Sequence, residues 1–481
     1  MWTRILFWNL KNKKKFLLTC IFCLTVILYA TNFYSTSSLI QNTHYKTKCD
    51  LDYAKHLIID MCSLYEQESS SIMGNLCPHL CDKANSYGYY QNYRMSDCNV
   101  KGHLSENTFD LSKSVLIYEL YKDKDKIPEI PNKLVLKSTK QYYLDFDTHL
   151  DFDFKDKPIL EQLKYLKMYI DSTLQTKFGI KLDPNELKAW SYEYEKDKKS
   201  AIEFLKNDMA LKRTYDFNYY VKLFASDNFH FYLEALQSED KRKMSNFIQN
   251  LMTLTSQDEY LFYTFYRSKP GAIKIYGSCG HFYMVEFAHP LTYRVRLMDL
   301  TERKKLALQF LDLVHNLDST YLLKKVNMTL KSEPVQMCDV KLDNFGLNYE
   351  GKLRIIDTDM ASPDSYLFSE KICDRNEDCH FFDCKSYCSP ETKKCIGKRV
   401  NNNLQAVCEK IFDNDLNKLD GILTGIQFES NTHDEIMNKL KICKKPGTYK
   451  NSDIPDMTDH RISRTLANLL LDEGIKLGIK Q

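Results

Sequence analysis

A chain of 481 residues with 43% hydrophobic and 13% aromatic content is long enough for two or three domains and too apolar to be disordered. Its 67 basic and 64 acidic residues leave a net charge of +3 and are interspersed rather than blocked, so no overall field argues for nucleic acid. Sixteen cysteines and one acceptor sequon, Asn327-Met328-Thr329, point instead to an oxidising compartment and a glycoprotein.

Residues 1–15 carry Arg4, Lys11, Lys13, Lys14 and Lys15 and no acid, and the uncharged run 16–34 that follows is close to the ~20 residues that cross a bilayer. Positive charge ahead of such a run predicts a type II signal anchor, with 1–15 cytosolic and the bulk of the chain luminal. The rival reading is a cleaved signal peptide, kept open by Ser35-Thr36-Ser37. Cys20 and Cys23 fall inside the run, and the remaining fourteen cysteines, an even number, suit full pairing. Residues 35–108 contain Cys49, Cys62, Cys77, Cys81 and Cys98 and read as a disulfide-stapled stem or cap. Zinc on Cys77, His79 and Cys81 is the alternative there.

Residues 114–121 (SVLIYELY) and 133–137 (KLVLK) read as two strands. The second ends in an apolar-apolar-Lys pattern resembling the protein-kinase strand whose lysine pairs the α- and β-phosphates, which makes Lys137 the nucleotide lysine, or else a solvated strand-end lysine. Gly102 stands alone where a G-x-G-x-x-G loop would be expected. Residues from about 141 to 246 read as an insertion. It opens with an acidic cluster (Asp145, Asp147, Asp151, Asp153), read as a solvated face, and continues into a helix from Pro158 with Leu163, Leu166, Ile170 and Leu174 on one face and Gly179 as its stop. It contains no D-x-[DN]-x-[DN]-G-x5-E calcium loop.

From Asp258 an amphipathic helix carrying Glu259 runs through a turn at Pro270 into a strand with Ile273 and Ile275, then a second strand ending at Glu286. This layout is similar to that of kinases, in which the helix glutamate pairs the strand lysine and an acidic residue sits at the nucleotide hinge. Leu306, Phe310, Leu313, Val314 and Leu317 form a helical stripe, and residues 320–333 are an excursion carrying the sequon.

The most informative stretch is PVQMCDVKLDNFGLNYEGKLRIIDTDMA, residues 334–361. Asp339, Lys341, Asn344 and Asp357 resemble in order and spacing the kinase catalytic loop and its metal-binding aspartate. Phosphoryl transfer needs a carboxylate to accept the proton of the attacking hydroxyl, a cation to steady the transferred group, and an amide and carboxylate to hold divalent ions. Phe345 and Leu347, a turn at Asn348-Tyr349-Glu350-Gly351, then Leu353, Ile355 and Ile356 predict a hairpin presenting both metal ligands at one edge. Past Asp357 the pattern departs: Thr358 and Asp359 stand in place of Phe and Gly, no A-P-E follows, and Cys373, Cys379, Cys384, Cys388 and Cys395 form a block read as bridged, with zinc on His380 the alternative. The tail 459–481 reads as one amphipathic helix through Ile462, Leu466, Leu469, Leu470 and Ile475.

The basic anchor, the cysteine-rich segment, GSCGHFYMVE, MCDVKLDNFG, IDTD and the block at 373–395 together resemble the divergent protein kinase domain family 1. That resemblance implies a cysteine-rich type II protein of the endoplasmic reticulum membrane. Its fold would be α+β, a bilobal kinase-like fold with an N-lobe (109–288) interrupted by the insertion, a C-lobe (289–481), disulfide-rich segments and a preceding transmembrane helix. It further implies Asp339 and Lys341 as catalytic, Lys137, Glu259 and Glu286 at ATP, Asn344 and Asp357 at Mg2+ or Mn2+, and a luminal or secreted protein or glycan hydroxyl as acceptor. Met337 and Cys338 replace the usual His-Arg, which removes the grip on a phosphorylated activation loop. The missing glycine loop and altered D-F-G keep open a pseudokinase that acts as a luminal scaffold. A further reading has Cys279 and Cys338 bridged or redox-active near the nucleotide cleft.

Overall fold

The computed structural model describes residues 50–67, 72–82, 93–100, 113–120, 132–139, 157–178, 199, 217–267, 269–318, 322–325, 328–331, 334–368, 371–397, 399–413, 421–424, 430–444 and 464–469. The anchor expected at 16–34, Gly102, the acidic cluster at 145–153, Gly179 and the sequon Asn327 lie outside them. No helix among the described residues is long and apolar enough to cross a membrane.

The unit from Leu51 onward opens with helix α1 (Leu51–Tyr65). Strands β1 (Tyr93–Val100), β2 (Ser114–Leu120), β3 (Lys133–Ser138), β4 (Ile275–Cys279) and β5 (Phe282–Glu286) form one antiparallel sheet in the order β1-β2-β3-β5-β4. Central β3 is buried along nearly its whole length, which explains its continuous apolar run, because strands covered on both faces lose the alternation of a half-exposed sheet. Leu134 and Leu136 point to one face, where α1 buries Ala54, Leu57, Ile58, Met61 and Cys62 at helical spacing. Val135 points to the other, toward a large helical core.

Residues 93–100, expected in the cap, are therefore the first strand of this sheet, and the N-lobe boundary drawn at 109 cuts between β1 and β2. The sequence YRMSDCNV hides the strand because β1 lies at the sheet edge, with a register shift between Met95 and Asp97, and carries little apolar alternation. The cap, closed on itself by Cys62–Cys81, is stitched to the sheet by Cys77–Cys279 on β4. Gly74, at φ +154°, lies so close to β4 that a Cβ there would collide with the carbonyl of Ser278.

The described part of the insertion is helical: α2 (Ile159–Phe178), α3 (Phe217–Ala225) and α4 (Phe229–Gln237), with α5 (Lys241–Thr255) starting in it and running past its end. Helix α2 runs where its periodicity predicts, burying Leu163, Leu166, Ile170 and Leu174, and its last residue Phe178 stacks on Phe265 with ring centroids 3.8 Å apart. Phe265 ends α6 (Asp258–Phe265), so the insertion packs directly against the helix that carries Glu259.

Helix α7 (Leu300–Asp318) buries the expected stripe of Leu306, Phe310, Leu313, Val314 and Leu317. The excursion after it forms a hairpin of β6 (Leu322–Lys325) and β7 (Met328–Lys331). Then β8 (Val335–Met337) leads into the segment carrying Asp339, and β9 (Phe345–Leu347) and β10 (Leu353–Ile355) form the predicted hairpin about a turn closed by Gly351 at φ +71°. Strand β11 (Ala361–Pro363) returns to pair with β8.

The block at 373–395 is held by Cys373–Cys388 and Cys379–Cys395, and Cys384 ties it to Cys338, the residue before Asp339. Cys408 pairs Cys443. The sulfurs of Cys373, Cys379 and Cys388 lie within 4.8 Å of one another, but each is already oxidised and offers no thiolate, so the zinc alternatives at Cys77/Cys81 and in this block fall away. Of the two readings for Cys279 and Cys338 the bridged one holds, to Cys77 and Cys384 respectively, so neither is a free thiol for redox chemistry. Of the tail expected as a helix, residues 464–469 are described and helical, with Leu466 fully buried.

Candidate functional site

Lys137 leaves β3 on the same face as Val135, toward α6, and its Nζ meets Glu259 Oε1 at 3.0 Å and the carbonyl oxygen of Ile356 at 2.7 Å. Glu259 has no solvent exposure. Its carboxylate also accepts hydrogen bonds from the hydroxyls of Tyr283 (2.7 Å) and Tyr263 (3.2 Å). Burial alone would raise the pKa of Glu259, but Lys137, Lys113 and the Tyr283 hydroxyl overcome that and hold it at about 2. The same arrangement pushes both tyrosines well above their usual value, through burial first and the Glu259 charge second. Tyr263 lies 3.0 Å from the carbonyl of Ile355 as well, linking α6 to the strand that ends beside Asp357.

Across from this pair, a short 3-10 turn at Leu342–Asn344 brings Asn344 back over Asp339: Asn344 Nδ2 donates to Asp339 Oδ2 at 2.9 Å and to the Asp339 carbonyl at 2.8 Å. Lys341 Nζ sits 2.6 Å from Asp339 Oδ2. The loop is clamped from outside by the cysteine block. Cys338 is bonded to Cys384, the Asp383 amide donates to the Cys338 carbonyl (2.8 Å), and Asp383 Oδ2 accepts from the Val340 amide (2.7 Å). The block thus fixes the segment that carries Asp339.

Asp339, Lys341, Asn344, Asp357 and Asp359 line one cavity of about 180 Å³, with Met337 and Met360 as its apolar walls. Carboxylate oxygens of Glu259, Asp357 and Asp359 lie within 4.8 Å of one another. Burial, together with the charges of Glu259 and Asp357, pushes Asp359 up to about 6, against the opposing pull of Lys113. Oxygen donors gathered at this density suit a hard divalent cation such as Mg2+ or Mn2+. The Lys113 ammonium already among them, 3.2 Å from Asp357 Oδ1 and 3.2 Å from Asp359 Oδ2, shows that the spot favours positive charge. Asn344 and Asp357 would hold such an ion, with Asp359 beside them.

The structure thus brings Lys137 to Glu259, and gathers Asp339, Lys341, Asn344 and Asp357 at one cavity. It does not bring Glu286 with them. That carboxylate, expected to face a nucleotide, is buried and taken by Asn348 Nδ2 at 2.7 Å and Arg354 Nε at 2.8 Å, so it braces the β9–β10 hairpin against β5. An acidic strand end is an ambiguous signal, and here Arg354 on β10 claims it. Sequence reasoning passed over Lys113 and Tyr263, which belong to no motif, and Tyr283, which lies inside GSCGHFYMVE but carried no assigned role there. Asp359 was visible as a second acid two residues after Asp357, but was noted only as a departure from pattern.

Residues 251–446 match the family described as the protein-kinase domain of FAM69. The match runs from the C-terminal part of α5 past the disulfide at Cys443 and includes Glu259, Asp339, Asn344 and Asp357, while Lys113 and Lys137 precede it. No solved structure matches the chain. The match supports a divergent kinase-domain family for residues 251–446.

Proposed function

We propose that this protein is a secretory-pathway phosphotransferase of bilobal kinase-like architecture that moves the γ-phosphoryl group of ATP, with Mg2+ or Mn2+, to a hydroxyl of a luminal or secreted protein or of a glycan. The observation that carries the reading is the meeting of Lys137 and Glu259, from the sheet and α6, with a cavity lined by Asp339, Lys341, Asn344 and Asp357. Divalent ions held at Asn344 and Asp357 would neutralise charge on the β- and γ-phosphates. Asp339, kept in place by Asn344, takes the proton of the acceptor hydroxyl, and Lys341 beside it steadies the phosphoryl oxygens. Lys137, fixed by Glu259, grips the α- and β-phosphates.

Six disulfides join described residues, and with the sequon at Asn327 and the basic-then-apolar N-terminus they support a glycosylated chain anchored type II in a secretory-pathway membrane, while the choice of the endoplasmic reticulum over the Golgi rests on the family resemblance alone. One observation favours a pseudokinase scaffold instead: Lys113 occupies the space among the carboxylates that a metal would need.

The experiment that separates the two is transfer of radiolabel from γ-labelled ATP into a secretory-protein fraction, wild type against Asp339→Ala. Label dependent on Asp339 supports the enzyme. Equal label from both proteins, or none from either, supports the scaffold.

A further inference from the structure

Lys113 stands at the end of the segment between β1 and β2, immediately before Ser114. In the phosphotransferase layout this is the segment that covers the triphosphate with glycine amides, and here it holds Gly102 as its lone glycine. Its side chain is 15% exposed, and its ammonium touches three carboxylates: Glu259 Oε1 at 3.3 Å, Asp357 Oδ1 at 3.2 Å and Asp359 Oδ2 at 3.2 Å. Two ammonium groups, Lys113 and Lys137, therefore share one oxygen of Glu259, although Lys137 alone at 3.0 Å already satisfies that buried pair. Lys113 also lies on Asp357, the carboxylate assigned above to a metal, and a divalent ion could not take that place while the ammonium stays. A lysine stem is long and rotatable, so its charge can be re-aimed without moving β2.

We propose that Lys113 is a phosphate-binding lysine that rests on the Asp357 and Asp359 carboxylates until metal and nucleotide arrive, then turns to the triphosphate and supplies the grip that the missing glycine loop does not. The inference rests on the phosphotransferase reading. It requires Lys113 to oppose metal binding in the absence of nucleotide and to favour nucleotide binding in the presence of metal, and a lysine that merely braces the fold would not show that pair of opposite signs.

The test is calorimetric titration of the full-length chain with Mn2+ alone and with ATP in saturating Mn2+, comparing wild type, Lys113→Ala and Lys113→Arg. Lys113→Ala is expected to bind Mn2+ alone about tenfold more tightly and ATP about tenfold more weakly, the worth of one charge-assisted hydrogen bond in each case. Lys113→Arg, which keeps the charge, is expected to restore much of the ATP affinity. Weakening of both ligands by Lys113→Ala, or unchanged ATP affinity, overturns the proposal while leaving the nucleotide site intact. Failure of the wild type itself to bind ATP overturns it by removing the phosphotransferase reading beneath it.

Discussion

Replacing Glu259 with glutamine keeps the side-chain volume and removes the charge on which the sheet, α6 and the β10 edge converge. In the native protein that carboxylate has no solvent exposure and is met by Lys137, Lys113, Tyr263 and Tyr283 at 3.0, 3.3, 3.2 and 2.7 Å. Burial opposes its ionisation, yet the partners hold its pKa at about 2, down from 4.5. That displacement corresponds to about 3 kcal/mol in favour of the folded, charged form at any pH above 4.5. Breaking one side of a buried ion pair elsewhere costs a similar ~3–5 kcal/mol, because the remaining charge is stranded. Urea unfolding with disulfides intact, followed by circular dichroism, is therefore expected to show Glu259→Gln about 3 kcal/mol less stable than wild type at pH 7. The folded-state pKa is depressed, so the wild-type advantage is lost as pH falls from 4.5 toward 2, and the two proteins should converge there. Tyr283→Phe, which removes a single hydrogen bond to a charged group, should lose less, about 1.5–3 kcal/mol. If Glu259→Gln at pH 7 comes within about 0.5 kcal/mol of wild type, the size of an ordinary surface substitution, the buried charge cluster is not formed and the reasoning fails.

Asp359 gives the opposite pH signature. Its folded pKa is raised to about 6 from 3.8, so its ionisation works against the fold as pH rises through that window; Asp359→Asn should raise the urea midpoint at pH 7 and lose that advantage below pH 4, and an equal effect at both values would count against the placement beside Glu259. Replacing Cys338 and Cys384 together by alanine opens a closure 46 residues long, which should cost up to about 4 kcal/mol on the chain-entropy estimate and lower phosphoryl transfer at temperatures where the chain is still folded; unchanged transfer would show that the cysteine block does not steady Asp339. Gly74→Ala should weaken the seat of the cap on β4 through both its φ and the collision with Ser278, read as a lowered melting temperature, and a wild-type melting temperature would mean that the cap does not press on β4 there.

What the sequence disclosed follows from how local each signal was. The β9–β10 hairpin could be read because its apolar alternation and its turn at Gly351 lie within one short stretch, and α2 because four leucine and isoleucine positions repeat at helical spacing between Leu163 and Leu174. The pairing of Lys137 with Glu259 could be anticipated only through resemblance to kinases, since 122 positions separate them and neither stretch refers to the other. Strand β1 was hidden by its polar edge sequence. Lys113 was hidden because a lysine ahead of a strand carries no periodicity and no motif, and its importance comes from three carboxylates supplied by α6 and the residues after β10. Glu286 was misdirected for the converse reason: its position along β5 fitted a hinge, but Asn348 and Arg354, distant in sequence, set what its side chain does. The number of cysteines pointed to bridges, while their connectivity needed the fold to place Cys77 beside β4 and Cys384 beside the segment carrying Asp339.

The measurement closest to the central claim is a thermal shift of the full-length chain with ATP and Mn2+, repeated with Asp357→Ala. The account predicts a saturable rise in the melting temperature of the wild type, of the size set by ligand excess over its dissociation constant, and none for Asp357→Ala folded to the same circular dichroism spectrum. A wild type indifferent to ATP and Mn2+, or a variant that responds equally, would contradict it.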